Sequence, residues 1–381
     1  MRRQLVLAAA GAGKSELIVS DTLDYAALGK SVLVLTYTEN NQSELLRKLC
    51  RVNRAVPNGV DVKGWFTFLL EDLIRPYQSC LLEDRVGGVF LNSFDPHKRN
   101  QRAIPGRGES IDGAFNSAHF LTHSDKLAHT AHISKLACRI QRKSQRKPTT
   151  RLAAIYDAIL IDEVQDLVGW DFEVLKNISA MSSLDMCCVG DFRQTVYLTH
   201  NTRKSPSTSK QKAEAFRSMG FTQAPLSSSW RCIAEICTFA DLVHEDVGLY
   251  DPTSSNVLSV PEQFSAHTGV FTVPESLIEE YLERYNPVIL RHSRRARQDL
   301  CVGREAFNFG QSKGLGFDRT LIIPTTAQLD FLDGNRQAFE SSKTEKAKNS
   351  FYVALTRARY SVAILTDRVS SLPGINCWND G

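Results

Sequence analysis

Leu5-Val6-Leu7-Ala8-Ala9-Ala10-Gly11-Ala12-Gly13-Lys14-Ser15 is the stretch that decides how this chain folds. Three apolar residues read as a short buried strand, small residues follow, and Lys14 opens an amphipathic stretch that runs to about Gly29. Small side chains let backbone N–H groups close around an anion, and a helix N-terminus then faces the same point. Ala8 to Ser15 fits the relaxed Walker A pattern with Ala in its first position. In that reading Ala10, Gly11, Ala12 and Gly13 cradle phosphate, Lys14 reaches the β- and γ-phosphates, and the Ser15 hydroxyl ligates Mg²⁺. An ordinary strand-to-helix turn is the alternative when the loop is taken alone.

Working outward, the first third continues to alternate strand and helix, as expected of βα units with a parallel sheet. Ser31 to Leu35 reads as the next strand and Asn40 to Leu49 as the next helix. From about Glu83 to Ser117 the pattern dissolves into Gly, Pro, Asn and Arg, so an irregular insertion is expected there. A helical stretch is expected from about His119 to Ser144. Ala158 to Ile161 and Met186 to Val189 read as buried strands, and Ser205 to Ser209 as a loop. The second half supplies further strand candidates at Val270–Val273, Val288–Leu290, Leu321–Ile323 and Ser361–Leu365.

The 381 residues are 42% hydrophobic and 23% charged, the balance of a soluble chain too long for one core. No apolar run reaches the roughly 18 residues of a membrane span, and the start does not resemble a secretory leader. Nine cysteines contain no C-x-x-C pair. They read as reduced core thiols, which implies the cytoplasm and speaks against a zinc or iron–sulfur site. Net charge is only +4, but Arg139 to Arg151 and Arg291 to Arg297 are locally basic. Each reads either as a solvated helix face or as a phosphate-backbone contact.

The second chemical element is Ile159-Leu160-Ile161-Asp162-Glu163. A carboxylate at a strand's C-terminal end can reach a metal, and its neighbour can act as general base on water. A surface acidic pair is the bland alternative, and the continuation Val164-Gln165-Asp166 argues against it.

D-E-V-Q-D resembles motif II of the UvrD/Rep-like superfamily 1A helicases, and other motifs of that family follow in order. Thr36-Tyr37-Thr38-Glu39-Asn40 is similar to motif Ia, which implies that Tyr37, Thr38 and Asn40 contact single-stranded DNA. Gly190 to Tyr197 (GDFRQTVY) resembles motif III, implying that Gln194 senses the γ-phosphate and that Tyr197 lies on the strand. Trp230-Arg231 resembles the aromatic–Arg pair of motif IV, with Trp230 stacking on the nucleobase. Gln311 to Asp318 resembles motif V, with Gly314 at the nucleotide. Val353 to Arg359 (VALTRAR) is close to motif VI. Because Arg231 and Arg357 lie in the second half and Lys14, Asp162 and Glu163 in the first, the resemblance implies a nucleotide sensed by both halves. Glu163, Gln194, Arg231 and Arg357 are then the catalytic set, and Ser15 and Asp162 the metal ligands.

The chain departs from the family in four places. Only seven residues precede Ala8, and Gln4 stands too near it to be the family's adenine-reading Gln. Tyr197 is followed by Leu198-Thr199-His200-Asn201 rather than the family's Trp-containing sequence, leaving base stacking to Tyr197, His200 or Tyr37. Gly316 replaces a Glu. Almost no room exists between Leu290 and Gln311 for a 2B domain. Lys63 to Phe68 reads either as the strand-contacting motif Ib or as a buried aromatic helix.

The expected fold is therefore α/β: two RecA-like P-loop NTPase domains with parallel sheets. Residues 1–60 and 151–225 form the first, 61–150 a reduced, mainly helical or irregular 1B-like insertion, and 226–381 the second. The resemblance implies ATP and Mg²⁺ as cofactors, single-stranded or tailed duplex DNA as partner, no membrane, and 3′→5′ movement. A DNA-sensing ATPase subunit that activates a partner protein such as a nuclease is the rival reading.

Overall fold

The computed structural model describes residues 2–379 apart from Ser93, Gln101, 197–203 and 341–344. The expected contacts at Tyr197 and His200 lie outside the described residues. The chain divides into two compact units. One comprises Met1–Val6, Lys14–Gly190 and Leu198–Ala224, and the other Leu7–Gly13, Asp191–Tyr197 and Pro225–Gly381.

The first unit is built on a six-stranded sheet. Its strands are β1 (Arg3–Ala8), β2 (Val32–Thr36), β3 (Val60–Gly64), β4 (Ala158–Ile161), β5 (Asp185–Gly190) and β6 (Thr222–Leu226), in spatial order β6-β1-β5-β4-β2-β3. β4 pairs in parallel with β5 and β2, and β2 with β3. Every residue of β2 and β4 is buried, as expected for strands covered on both faces. Helix α1 (Lys14–Ala27) follows the phosphate loop, and α2 (Glu39–Asn53) starts on a Thr38 cap whose side chain accepts from the Asn41 amide. The expected insertion boundary at residue 61 falls inside β3. Its backbone is ladder-paired to β2 over Val32–Thr36, so the core sheet extends to Gly64.

The stretch after β3 bears on one open reading and corrects one expectation. Trp65 and Phe68 are fully buried in a short helical turn, in line with the buried aromatic helix, one of the two readings of Lys63 to Phe68, and the Trp65 indole N–H donates to Asp171 at 3.0 Å. The helical stretch expected from His119 to Ser144 is helical only in α3 (Ile133–Lys143). Upstream, Leu127–His129 forms a short strand parallel to Gly88–Phe90. The polar run Thr122 to Asp125 breaks the apolar period there, whereas Ile133, Leu136, Ala137 and Ile140 keep one buried face. Between them the insertion holds two-residue hairpins, Lys98–Arg99 with Arg102–Ala103 and Ser110–Ile111 with Ala114–Phe115.

The second unit carries β7 (Gly269–Val273), β8 (Val288–Arg291), β9 (Ala306–Asn308), β10 (Phe317–Ile322), β11 (Ala358–Leu365) and β12 (Ile375–Cys377). Their order is β9-β8-β10-β11-β7-β12, and every pairing is parallel. Each unit is thus a RecA-like α/β layer built on its own six-stranded sheet. Of the nine free cysteines, Cys187, Cys188, Cys232 and Cys237 are core thiols as expected. Cys50 and Cys377 are exposed, because they lie on a solvent-facing helix turn and an edge strand. No helix among the described residues is long and apolar enough to cross a membrane.

Candidate nucleotide site

The phosphate loop leaves β1 and turns through Gly11 and Gly13, both left-handed at φ +72° and +85°. A side chain at Gly11 would meet the Arg231 Cβ at 2.6 Å and Ser229 Oγ at 3.0 Å, so glycine is required by conformation and by space. The turn is held from outside. The Ser229 hydroxyl donates to the Ala10 carbonyl at 2.8 Å, the Trp230 amide to the Gly11 carbonyl at 2.9 Å, and the Ala10 amide to the Tyr352 hydroxyl at 3.3 Å. Ala9 donates to Leu226, and Ala12 to the Ala9 carbonyl. Sequence reasoning missed Ser229 and Tyr352. Tyr352 immediately precedes the VALTRAR segment, but no residue pattern tells a loop-bracing Tyr from a core Tyr.

Trp230 is 70% exposed, and its Cδ1 lies 4.0 Å from where a Gly13 Cβ would sit. A core role for this indole is therefore ruled out, and an open aromatic face stands beside the loop. Arg231 follows it and donates to the Thr356 carbonyl at 3.4 Å.

In the first unit, Lys14 Nζ lies 3.6 Å from Glu163 Oε1, and both side chains are mostly buried. Glu163 adopts φ +54°, a conformation costly for a residue with a Cβ and found at sites where geometry is over-determined. Its other oxygen accepts from the Gln165 side-chain amide, and the buried Lys212 ammonium donates to the Gln165 main-chain carbonyl. The Asp162 carboxylate, 3% exposed, accepts from the Glu163 amide at 2.8 Å. Burial first, then repulsion from Glu163, raises its pKa well above the usual carboxylate range, and Lys14 opposes that only in part. A buried carboxyl with uncompensated charge fits the donor set of a hard cation, and Ser15 begins the helix on which Lys14 also sits.

The motif III residues form a buried knot. Arg193, 2% exposed, donates to Asp191 at 3.0 Å and to Asp241 at 2.9 Å, and lies 4.5 Å from the ring centres of both Tyr250 and Tyr352. The Gln194 side chain donates to Asp191 Oδ2 at 2.9 Å. In this conformation the expected phosphate sensor is therefore held by its own capping carboxylate.

Arg357 differs from its expectation. It is completely buried, donating to the carbonyls of Val353 and Leu315 at 3.0 Å and of Ser312 at 3.4 Å, and to Thr356 Oγ1 at 3.4 Å. Burial, then repulsion from Arg231, lowers its pKa to about 9. It is thus bound up in the strand-end turn that carries it, and Arg231 is the more open guanidinium. Gly314 takes φ +89° with nothing near its Cβ position, whereas a side chain at Gly316 would stand 3.5 Å from Arg231 Nε.

The expected strand contacts Tyr37, Thr38 and Asn40 lie between β2 and the first turn of α2. Thr38 and Asn40 are exposed, and the half-buried Tyr37 ring meets Phe66 edge-on at 5.7 Å. Of the basic cluster at 291–297, Arg297 is paired with Glu275 and Asp299 and Arg291 donates to Ala296, leaving Arg294 and Arg295 as its exposed members. Gln4 accepts from Arg2.

Residues 90–205 match the UvrD/REP helicase N-terminal domain family. No curated protein sequence matches the chain. A solved arterivirus nonstructural protein 10 helicase, in complex with DNA, aligns at 14% identity over 96% of this chain and 60% of that one, with a TM-score of 0.41. The chain thus spans under two thirds of that structure's length.

Proposed function

We propose that this chain, whose residues 90–205 match the UvrD/REP helicase N-terminal domain, is a superfamily 1 motor that hydrolyses ATP when single-stranded DNA is bound and moves 3′→5′ along it. The observation that carries the hydrolytic reading is the pairing of Lys14 with Glu163 beside the buried Asp162. Bound ATP and Mg²⁺ would bring phosphate charge to the loop and a cation to Ser15 and Asp162. Cation binding would return Asp162 to its ionised form. Lys14 would then leave Glu163 for phosphate, freeing that carboxylate to take a proton from water. Trp230 would stack on the base, and Arg231 would carry positive charge to the phosphates.

DNA-dependent ATP turnover, measured with and without single-stranded DNA, tests this directly. An ATPase indifferent to DNA would overturn it. Polarity is read from translocation on strands blocked at one end, and movement towards the 5′ end of the tracking strand is the expected result.

A second reading rests on one feature of the second unit. Between β8 and β10 lie only a short 3₁₀ turn at Asp299–Cys301, β9 and a tight turn, with no accessory domain among the described residues. A motor without that accessory domain suits a DNA-sensing ATPase subunit that activates a protein partner. Strong DNA-stimulated turnover without strand separation on 3′-tailed duplexes would favour it.

A further inference from the structure

Three histidines of the insertion converge although nothing in the nucleotide site uses them. One ring nitrogen from each of His97, His119 and His132 lies within 4.8 Å of the other two. Ring centres are 4.3 Å apart for His97 with His119, 4.3 Å for His97 with His132, and 4.6 Å for His119 with His132. The hydrogen bonds settle which nitrogens carry lone pairs. His97 Nε2 lies 2.9 Å from the His119 carbonyl, and His119 Nδ1 lies 2.8 Å from the Arg107 carbonyl. A carbonyl can only accept, so both of those nitrogens bear protons, leaving His97 Nδ1 and His119 Nε2 as acceptors. His132 Nε2 is buried and has no hydrogen-bond partner among the described residues. Imidazoles oriented by backbone carbonyls on the far nitrogen are the arrangement by which proteins aim histidines at a metal.

We propose that His97, His119 and His132 form a binding site for one divalent transition cation of the Zn²⁺ class, with water completing the coordination. Neutral imidazole is a ligand suited to Zn²⁺, and the cluster among the described residues is of three ring nitrogens rather than the carboxylate oxygens that suit Mg²⁺ or Ca²⁺. Tetrahedral ligation at Zn–N distances of about 2.0–2.1 Å places nitrogens about 3.4 Å apart. Binding would therefore draw the nitrogens together and turn His97 from its stack on His132. One neighbour must yield. Lys135 Nζ lies 3.2 Å from His119 Nε2, and it retains Glu109 at 2.7 Å and the Trp170 ring when that nitrogen goes to the metal.

The reason for a metal here is the architecture of the insertion. The strands of its hairpins are two residues long and largely exposed, so they bury little apolar surface. His97 stands beside the first hairpin, His119 ends a 3₁₀ turn, and His132 immediately precedes α3. A cation shared by the three would clip an excursion with little core of its own to a helix with a packed face.

The test uses the full chain, stripped with chelator and dialysed against buffered Zn²⁺. One Zn²⁺ per chain is expected, with affinity falling by about 100-fold or more in H119Q and H132Q and unchanged in H123Q, which alters an exposed histidine outside the cluster. Retention of stoichiometric, wild-type-affinity zinc by the triple variant H97Q/H119Q/H132Q would overturn the site. X-ray absorption at the zinc edge of the loaded wild type decides the matter even if variants fail to fold. Three imidazole neighbours support the site. Fewer, or an ion that chelator-free dialysis removes, means an adventitious ion only and overturns it.

Discussion

The Cβ of Arg231 occupies the space that any side chain on Gly11 would need, 2.6 Å from the position of its first carbon. A residue of the glycine turn and the arginine two positions after Ser229 therefore constrain each other through space. Gly11→Ala is expected to cost about 1–2 kcal/mol through the left-handed φ alone, and to displace the Trp230–Arg231 segment from the loop. Thermal unfolding and titration with a fluorescent ATP analogue should show a lowered Tm together with nucleotide affinity weakened at least tenfold. Wild-type affinity would mean that the loop does not hold the nucleotide.

Lys14 and Glu163 should separate binding from chemistry. Lys14→Ala removes the phosphate-facing cation and is expected to abolish measurable ATP binding. Glu163→Gln keeps size and one hydrogen-bonding oxygen but cannot accept a proton, so binding should persist while turnover falls on the order of 10²–10⁴-fold. Single-turnover hydrolysis alongside equilibrium binding checks both. A Glu163→Gln enzyme with near-normal turnover would refute the base assignment.

Asp162 should behave oppositely in stability and activity. Its carboxyl is raised by burial and by Glu163, so the folded state holds its proton more tightly than the unfolded chain does. That contribution is fully present below the unfolded carboxylate pKa and is lost as pH rises through the raised folded value. At neutral pH in the absence of divalent cations, Asp162→Asn is expected to raise Tm by roughly 2–4 °C, about 1 kcal/mol for a unit of this size. Its amide oxygen can still accept from the Glu163 N–H. Mg²⁺-dependent hydrolysis should be lost in the same variant, and a lowered Tm would show that the carboxylate is already compensated.

The two arginines should part company. Arg357 donates to three main-chain carbonyls with no solvent access, so Arg357→Ala leaves buried acceptors and a void and is expected to destabilise by about 3 kcal/mol or more. Arg231→Ala should unfold near the wild-type temperature yet lose turnover by ~10³-fold, the scale of an arginine supplied to a transferring phosphoryl group. Calorimetry beside steady-state kinetics separates them. Equal Tm values for both variants would contradict the buried network.

Base choice should be permissive. The open indole of Trp230 offers a stacking face that any nucleobase can use, and stacking of this kind is worth about 1–3 kcal/mol. Trp230→Ala is therefore expected to raise the KM for ATP roughly tenfold or more with a smaller effect on kcat. GTP and CTP should be used within about tenfold of ATP, and discrimination by several orders of magnitude would point to a polar reader of the adenine edge.

Much of this chain could be read from local pattern alone. The strand–small-residue–Lys–Ser run determined the strand–glycine turn–helix geometry, because glycine conformations and helix starts are local properties that sequence states directly. Buried apolar runs located β2, β4, β5 and β7, and Asp162-Glu163 stands at the end of β4 as read. The strands missed, β3, β6, β9 and β12, are short or partly exposed, so their pairing is created by neighbours rather than by their own composition. Only tertiary structure decided that Trp230 faces solvent while Arg357 is sealed in carbonyls, since exposure depends on what packs from elsewhere in the chain. It alone bound Tyr352 and Ser229 to the phosphate loop. It also gathered His97, His119 and His132, whose wide spacing matches no local ligand pattern, and oriented the first two through backbone carbonyls that a sequence does not display.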